Sequence, residues 1–341
     1  MNIPARAFIL GCAGLELTTD ERAFIAREKP WGLILFKRNV ADRAQLRQLT
    51  NQFRELLGRE NAPVLIDQEG GRVQRMGPPH WRAYPPAAAF AAAASKNGAD
   101  AADLVRMGAR LIADDLREAG INVDCLPVLD VPVPGGHQVI GDRAYSDDPA
   151  LVAQLGLAAC EGLLQGGVLP VLKHIPGHGR AGADSHMELP RVDASLEALK
   201  ENDFIPFKAI ADMPLAMSAH VIYEAIDPER PATISPVVVD RIIRGLIGYD
   251  GLVMSDDLSM KALSGSFTEK TQHLFAAGLD MALHCSPDLA EAHEVAAASP
   301  WLDGKREERA ERALKMILQV PEPIDSVDAS ARLDAALAIT T

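Results

Sequence analysis

Short apolar runs recur along the chain, separated by stretches whose apolar residues return every three or four positions. The runs are Ala7–Leu10, Gly32–Phe36, Pro63–Asp67, Ile121–Asp124, Val168–Lys173, Leu215–Ser218, Gly251–Ser255 and Met281–His284. Each is mostly continuous rather than alternating, as expected of a strand buried on both faces. Between them, residues 41–57 place Leu46, Leu49, Phe53, Leu56 and Leu57 on one helical face. Residues 100–119, 148–166, 236–247, 269–278 and 303–318 read as further helices. Thr18 or Thr19 can cap a helix that includes Glu21 and Phe24. The alanine-rich stretch 86–94 reads as a helix entry rather than a linker. Strands alternating with helices predict parallel pairing. Eight such units predict an α/β fold, a single (β/α)8 barrel of the TIM type with irregular units allowed. The competitor, an open doubly wound sheet, lacks its signals. No G-x-G-x-x-G follows the first run, and no G-x-x-x-x-G-K-[ST] occurs.

The length of 341 residues suits one large barrel or two modest domains. No Pro/Gly/Ser-rich linker divides it, and fewer than 60 residues follow the eighth run. Residues 1–341 are therefore expected to form one catalytic domain without a second, the last ~20 residues being a tail. The formal net charge of −13 disfavours a nucleic-acid partner, because it repels phosphate at long range. No apolar run approaches the roughly 18 residues that span a bilayer. Arg6 before the run ending at Cys12 faintly resembles a lipoprotein cleavage site, but the run is too short for a signal segment and reads as a buried strand. Cys12, Cys125, Cys160 and Cys285 are scattered singly in apolar surroundings, which predicts buried thiols in a reducing compartment.

In a parallel barrel the site forms at the C-terminal ends of the strands. Polar residues gather there: Asp67 with Gln68 and Glu69, Lys173 and His174, His220, Ser255–Asp257 and His284. Three of the nine histidines, His174, His178 and His186, fall within 13 residues. His174 and His178 have the i, i+4 spacing of a zincin helix, but Pro176, Gly177 and Gly179 oppose a helix there. A metal-dependent barrel hydrolase using His174, His178 and His186 remains as an alternative. The other reading pairs Asp184 with His186: a carboxylate that accepts the Nδ1–H makes an imidazole a poised acid and base. Loop residues that only bond the backbone would show the same pattern. Of the adjacent Asp256 and Asp257, only one can face the mouth, so one chemical and one structural role are expected.

The constellation resembles glycoside hydrolase family 3, and more narrowly its compact bacterial β-N-acetylglucosaminidases of cell-wall recycling. The matching pieces are residues 66–75 (IDQEGGRVQR), Gly141-Asp142-Arg143, the 173–186 loop, and residues 255–260 (SDDLSM). The resemblance implies a barrel and a retaining, double-displacement hydrolysis without metal or cofactor. Asp256 would be the nucleophile and His186 the acid/base, oriented by Asp184. Asp67, Arg75, Arg143, Lys173 and His174 would bind the sugar. The implied substrate is a small muropeptide with a terminal β-linked N-acetylglucosamine, handled by a monomer in a bacterial cytoplasm. Ile175 and Met254 stand where the family usually carries aromatics. Phosphorolysis is left open by the residues alone, whereas the intact Asp256, Asp184 and His186 argue against a non-catalytic sugar-binding or regulatory role. Gly177, Gly179 and Gly182 are expected to let His186 swing in after substrate binds.

Overall fold

A computed structural model describes residues 4–136, 138–182, 188–317 and 320–337. Eight parallel strands close into a barrel: β1 (Arg6–Gly11), β2 (Pro30–Leu35), β3 (Val64–Ile66), β4 (Val123–Asp124), β5 (Leu169–Ile175), β6 (Leu215–Ser218), β7 (Leu252–Asp257) and β8 (Met281–His284). Each pairs with its sequence neighbours, and β1 closes the circle on β8 through Phe8 opposite Ala282 and Leu10 opposite His284. The predicted (β/α)8 architecture is the observed one.

The continuous apolar runs are explained by two cores. Alternate strand residues such as Ala7, Ile9, Leu169, Val171, Leu215, Met217, Leu252, Met254, Met281 and Leu283 pack together in the barrel interior. Their neighbours Phe8, Leu10, Leu172, Ala216, Val253 and Ala282 pack outward against the helices. A strand with period-two side chains thus needs apolar residues at every position.

The helices follow their local signals. Helix α1 (Thr19–Glu28) starts in a capping box between Thr18 and Glu21. Helix α2 (Arg43–Leu57) is capped by Asp42 and ends at left-handed Gly58, with Leu46, Leu49, Phe53 and Leu57 buried. Helices α3 (Ala87–Asn97), α4 (Ala101–Glu118) and α5 (Pro149–Gln165) precede β4 or β5. Two short helices, α6 (Leu196–Glu201) and α7 (Ile205–Ala209), fill the fifth crossover. Residues Val238–Leu246 wind as a π-helix. Helices α8 (Phe267–Ala277), α9 (Leu289–Ala298) and α10 (Gly304–Ile317) complete the ring. Part of the stretch expected as a tail is helix α11 (Ser326–Leu337). It buries Ala329 and Leu333 in the main core, with Leu333 against α4 and Asp334 paired to Arg82. No described helix is long and apolar enough to cross a membrane.

Candidate active site

The third strand stops at Ile66, which leaves Asp67 at the rim. Residues Gln68–Gly70 then turn back on Val73–Gln74 as a small antiparallel ribbon. Its turn requires glycine: Gly70 and Gly71 have φ of +92° and +55°, and a Cβ on Gly70 would lie 2.2 Å from the Pro85 carbonyl oxygen. The ribbon brings Arg75 back onto Asp67, Nη2 to Oδ2 at 2.9 Å.

Lys173, near the end of β5, is buried and ion-paired to two carboxylates. Its Nζ lies 2.9 Å from Asp67 Oδ1 and 2.6 Å from Glu69 Oε1. Glu69 in turn accepts two bonds from Arg143, each 2.8 Å. The result is a chain of alternating charge, Arg75–Asp67–Lys173–Glu69–Arg143. Burial alone would raise the carboxyl pKa values, but the cations outweigh it. Lys173 and Arg75 hold Asp67 well below the usual carboxylate range, and Lys173 and Arg143 lower Glu69. For Lys173, burial opposes the charge, yet Asp67 and Glu69 raise its pKa. Asp67, Glu69 and Lys173 are therefore ionised at neutral pH.

His174 is fixed by a second buried carboxylate. Its Nδ1 lies 2.6 Å from Asp130 Oδ2, and Asp130 Oδ1 accepts the backbone N–H groups of His174 and His178 at 3.2 and 2.6 Å. With Nδ1 on the carboxylate, the His174 Nε2 is left for a ligand. His178 packs beside it, ring centroids 5.7 Å apart. Burial first, and then the neighbouring His174, push the His178 pKa down to about 4, so its imidazole is neutral at pH 7. Residues 174–178 run from the strand into a turn and do not form the helix a zincin pair needs. Among the described residues no group of three His, Cys, Asp or Glu could hold a metal.

On the opposite wall, β7 extends two residues beyond Ser255, and Asp256 and Asp257 both line the cavity, where strict alternation was expected to turn only one toward it; an irregular register between Met254 and Asp257 breaks that alternation. Asp256 Oδ1 accepts the Asp257 N–H at 2.8 Å. Asp257 Oδ1 accepts the N–H groups of Ser259 and Cys285, each at 3.0 Å, and its Oδ2 accepts the Ser259 hydroxyl. The Asp257 carboxylate is thus occupied in holding the β7 and β8 ends together.

The cavity between these walls has a volume of about 160 Å³. Interior residues Ile34, Met217 and Leu283 form its floor, and Phe36, Val139, Ile140 and Met260 its apolar sides. It gathers Asp67, Arg75, Arg143, Lys173, His174 and Asp256 from the C-terminal sides of four strands, β3, β4, β5 and β7. Asp184 and His186, the expected dyad, lie outside the described residues. Two site residues escaped sequence reasoning. Glu69 sits inside the quoted 66–75 motif and stood among the polar rim residues, but without a site role. Asp130 follows an apolar segment, residues 125–129, that continues the line of β4 alongside Lys173. The base of the 173–186 loop is tied down: the Tyr223 hydroxyl donates to the Gly177 carbonyl at 2.6 Å, and Arg180 pairs with Asp203 at 2.6 Å.

A closed barrel carrying paired carboxylates and cations at its strand C-termini defines a barrel enzyme, and residues 9–320 match the glycosyl hydrolase family 3 N-terminal domain. The chain belongs to glycosyl hydrolase family 3. It is 38% identical over 282 residues to a beta-hexosaminidase of Alkalilimnicola ehrlichii, covering 82% of this chain and 80% of that one. Against a beta-hexosaminidase of Tolumonas auensis the identity is 37% over 316 residues, 91% and 89% of the two chains. Among solved structures it is similar to NagZ from Neisseria gonorrhoeae in complex with N-trifluoroacetyl-D-glucosamine. That match has a TM-score of 0.85, 31% identity, and covers 98% of this chain and 99% of the other.

Proposed function

We propose that the protein is a retaining exo-β-N-acetylglucosaminidase, and that it removes terminal N-acetylglucosamine from peptidoglycan fragments such as anhydro-muropeptides in the bacterial cytoplasm. The observation that carries this reading is the cavity: a small pocket, floored by the barrel interior, with hydrogen-bonding charge at one wall and Asp256 at the other. A pocket with a floor suits the end of a glycan rather than its middle. The named relatives supply the hexosaminidase part. The peptidoglycan substrate rests on the resemblance to the compact bacterial subgroup.

In this reading Asp67, Arg75, Arg143, Lys173 and His174 bind the non-reducing sugar. An ionised carboxylate accepts from two hydroxyls at once, and Lys173 and His174 supply donors. Asp256 attacks the anomeric carbon. The bond to the leaving oxygen breaks as the Asp256–sugar bond forms, and His186 gives its proton to that oxygen. Asp184 orients the imidazole. In the second step the neutral imidazole takes a proton from water, which attacks the anomeric carbon and releases Asp256. A histidine replaces the carboxylate acid of the usual retaining pair, and adds no negative charge beside the nucleophile.

The test is hydrolysis of a chromogenic β-N-acetylglucosaminide beside the matching β-glucoside, with and without chelator. Cleavage of the N-acetyl substrate alone, unaffected by chelator, is expected. No turnover would point to a sugar-binding protein, and loss with chelator to a metalloenzyme.

A further inference from the structure

Strand β7 is irregular where Asp256 leaves it. Met254 stands opposite Met281 of β8, and Asp257 opposite Leu283. Three steps on β7 therefore span two on β8, the mark of a β-bulge, which re-aims side chains and takes backbone groups out of the ladder. The Asp257 peptide shows the consequence. Its N–H goes to Asp256 Oδ1, and its carbonyl accepts from Met260 N at 3.1 Å and from His220 Nε2 at 3.0 Å.

His220 is fully buried and follows β6. Its other nitrogen, Nδ1, lies 2.7 Å from Thr233 Oγ1, which lies 2.8 Å from Ser218 Oγ and 3.1 Å from the Ala219 carbonyl. The proton count fixes the direction. A carbonyl only accepts, so His220 donates from Nε2. Burial lowers the His220 pKa and holds the ring neutral, so Nδ1 must accept. The single Thr233 hydroxyl proton then has two acceptors in reach, His220 Nδ1 at 2.7 Å and the Ala219 carbonyl oxygen at 3.1 Å; the shorter contact takes it, and Ser218 donates to Thr233.

We propose that His220 is a positioning residue for Asp256: the relay Ser218–Thr233–His220 fixes the ring as an Nε2 donor, which clamps the Asp257 carbonyl and so sets the bulge that aims Asp256 into the cavity. The role rests on Asp256 being the nucleophile. His220 is not among the residues that line the cavity. Its contribution is the placement of the attacking carboxylate, where a misplacement of about 1 Å is enough to slow an enzyme about 100-fold.

The experiment compares Thr233→Val, Thr233→Ser, His220→Leu and His220→Gln with the wild type on an aryl β-N-acetylglucosaminide. Asp256→Asn is the control. Thr233→Val removes the proton that sets the tautomer, whereas Thr233→Ser keeps it. His220→Gln keeps an N–H for the Asp257 carbonyl, whereas His220→Leu has none. The expected result is a fall in kcat of about tenfold or more for Thr233→Val and His220→Leu. The serine and glutamine variants should retain more activity than their partners. The inhibition constant of the product sugar should not move, because the Asp67–Lys173 wall is untouched. Equal kcat losses for valine and serine, or an inhibition constant that rises as kcat falls, would overturn the relay and leave Thr233 as packing. An unchanged kcat in Thr233→Val beside an inactive Asp256→Asn would also overturn it. An active Asp256→Asn would instead remove the nucleophile reading beneath it. If His220→Leu does not fold, the Thr233 pair decides alone.

Discussion

Glu69 grips Arg143 through both carboxylate oxygens, each 2.8 Å from a guanidinium nitrogen, while one of those oxygens also lies 2.6 Å from Lys173. Buried Lys173 and half-buried Arg143 are thus held apart and aimed by one carboxylate. Glu69→Gln removes the charge but keeps the shape. Breaking a buried pair by neutralising one partner leaves uncompensated charge, so a stability loss of about 3 kcal/mol is expected from urea unfolding. KM should rise, because Lys173 and Arg143 lose their fixed directions. A variant with native stability and native KM would show the network to be dispensable.

Acid should weaken the fold in two separable windows. His178 titrates near 4 in the folded protein and near 6.5 when unfolded. The unfolded chain binds more protons between those values, so this group's contribution is complete above about pH 6.5 and is lost as pH falls toward 4. For Asp130, burial would raise the pKa, but its pairing with His174 and the backbone bonds it accepts set it at about 2. Its contribution holds above roughly pH 4 and disappears below. Unfolding free energy measured against pH should therefore flatten between pH 6.5 and 4 in His178→Gln. In Asp130→Asn it should flatten below pH 4. A slope that His178→Gln leaves unaltered would contradict the first window.

Asp256→Ala should abolish turnover while the unfolding midpoint stays near native, since a rim residue supports no core packing. Residual turnover near the native rate would end the nucleophile assignment. His186→Ala should depend on the leaving group. Aryl glycosides with acidic phenols need little protonation and should keep more of the first-step rate than poor leaving groups. Equal losses along such a series would count against His186 as the acid.

Two loop glycines should behave differently. A Cβ on Gly179 would lie 1.9 Å from the Val131 carbonyl oxygen, whereas one on Gly182 meets nothing within 4 Å. Gly179 is therefore a packing requirement rather than a hinge. Gly179→Ala should destabilise by about 3 kcal/mol, and Gly182→Ala by less than about 0.5 kcal/mol. Thermal unfolding of the two variants checks this. Reduced turnover in Gly182→Ala at native stability would keep mobility at that position in play.

The barrel was legible because its cause is local. A strand packed on the interior and on a helix needs apolar residues at every position, and eight such runs separated by 3.6-residue periodicity leave few other folds. Asp67, Lys173, His174 and Asp256 were legible for a related reason: a polar residue directly after a buried run must sit at a strand end, and in a parallel barrel one set of ends forms one mouth. The partners of these residues were not legible. Arg143 finds Glu69 across 74 residues and His174 finds Asp130 across 44, distances along the chain that no local pattern records. Closure decides them, because barrel register alone sets which side chains from different strands share the mouth. The same holds for α11, whose few apolar residues look like a tail until Leu333 meets α4, and for the bulge at Asp256, which exists only relative to β8. Local hydrophobic pattern determined which segments are buried and which residues stand at the rim. Which buried charges meet, and where the nucleophile candidate points, was settled by long-range packing, since a charge is stable in a dry site only opposite its partner.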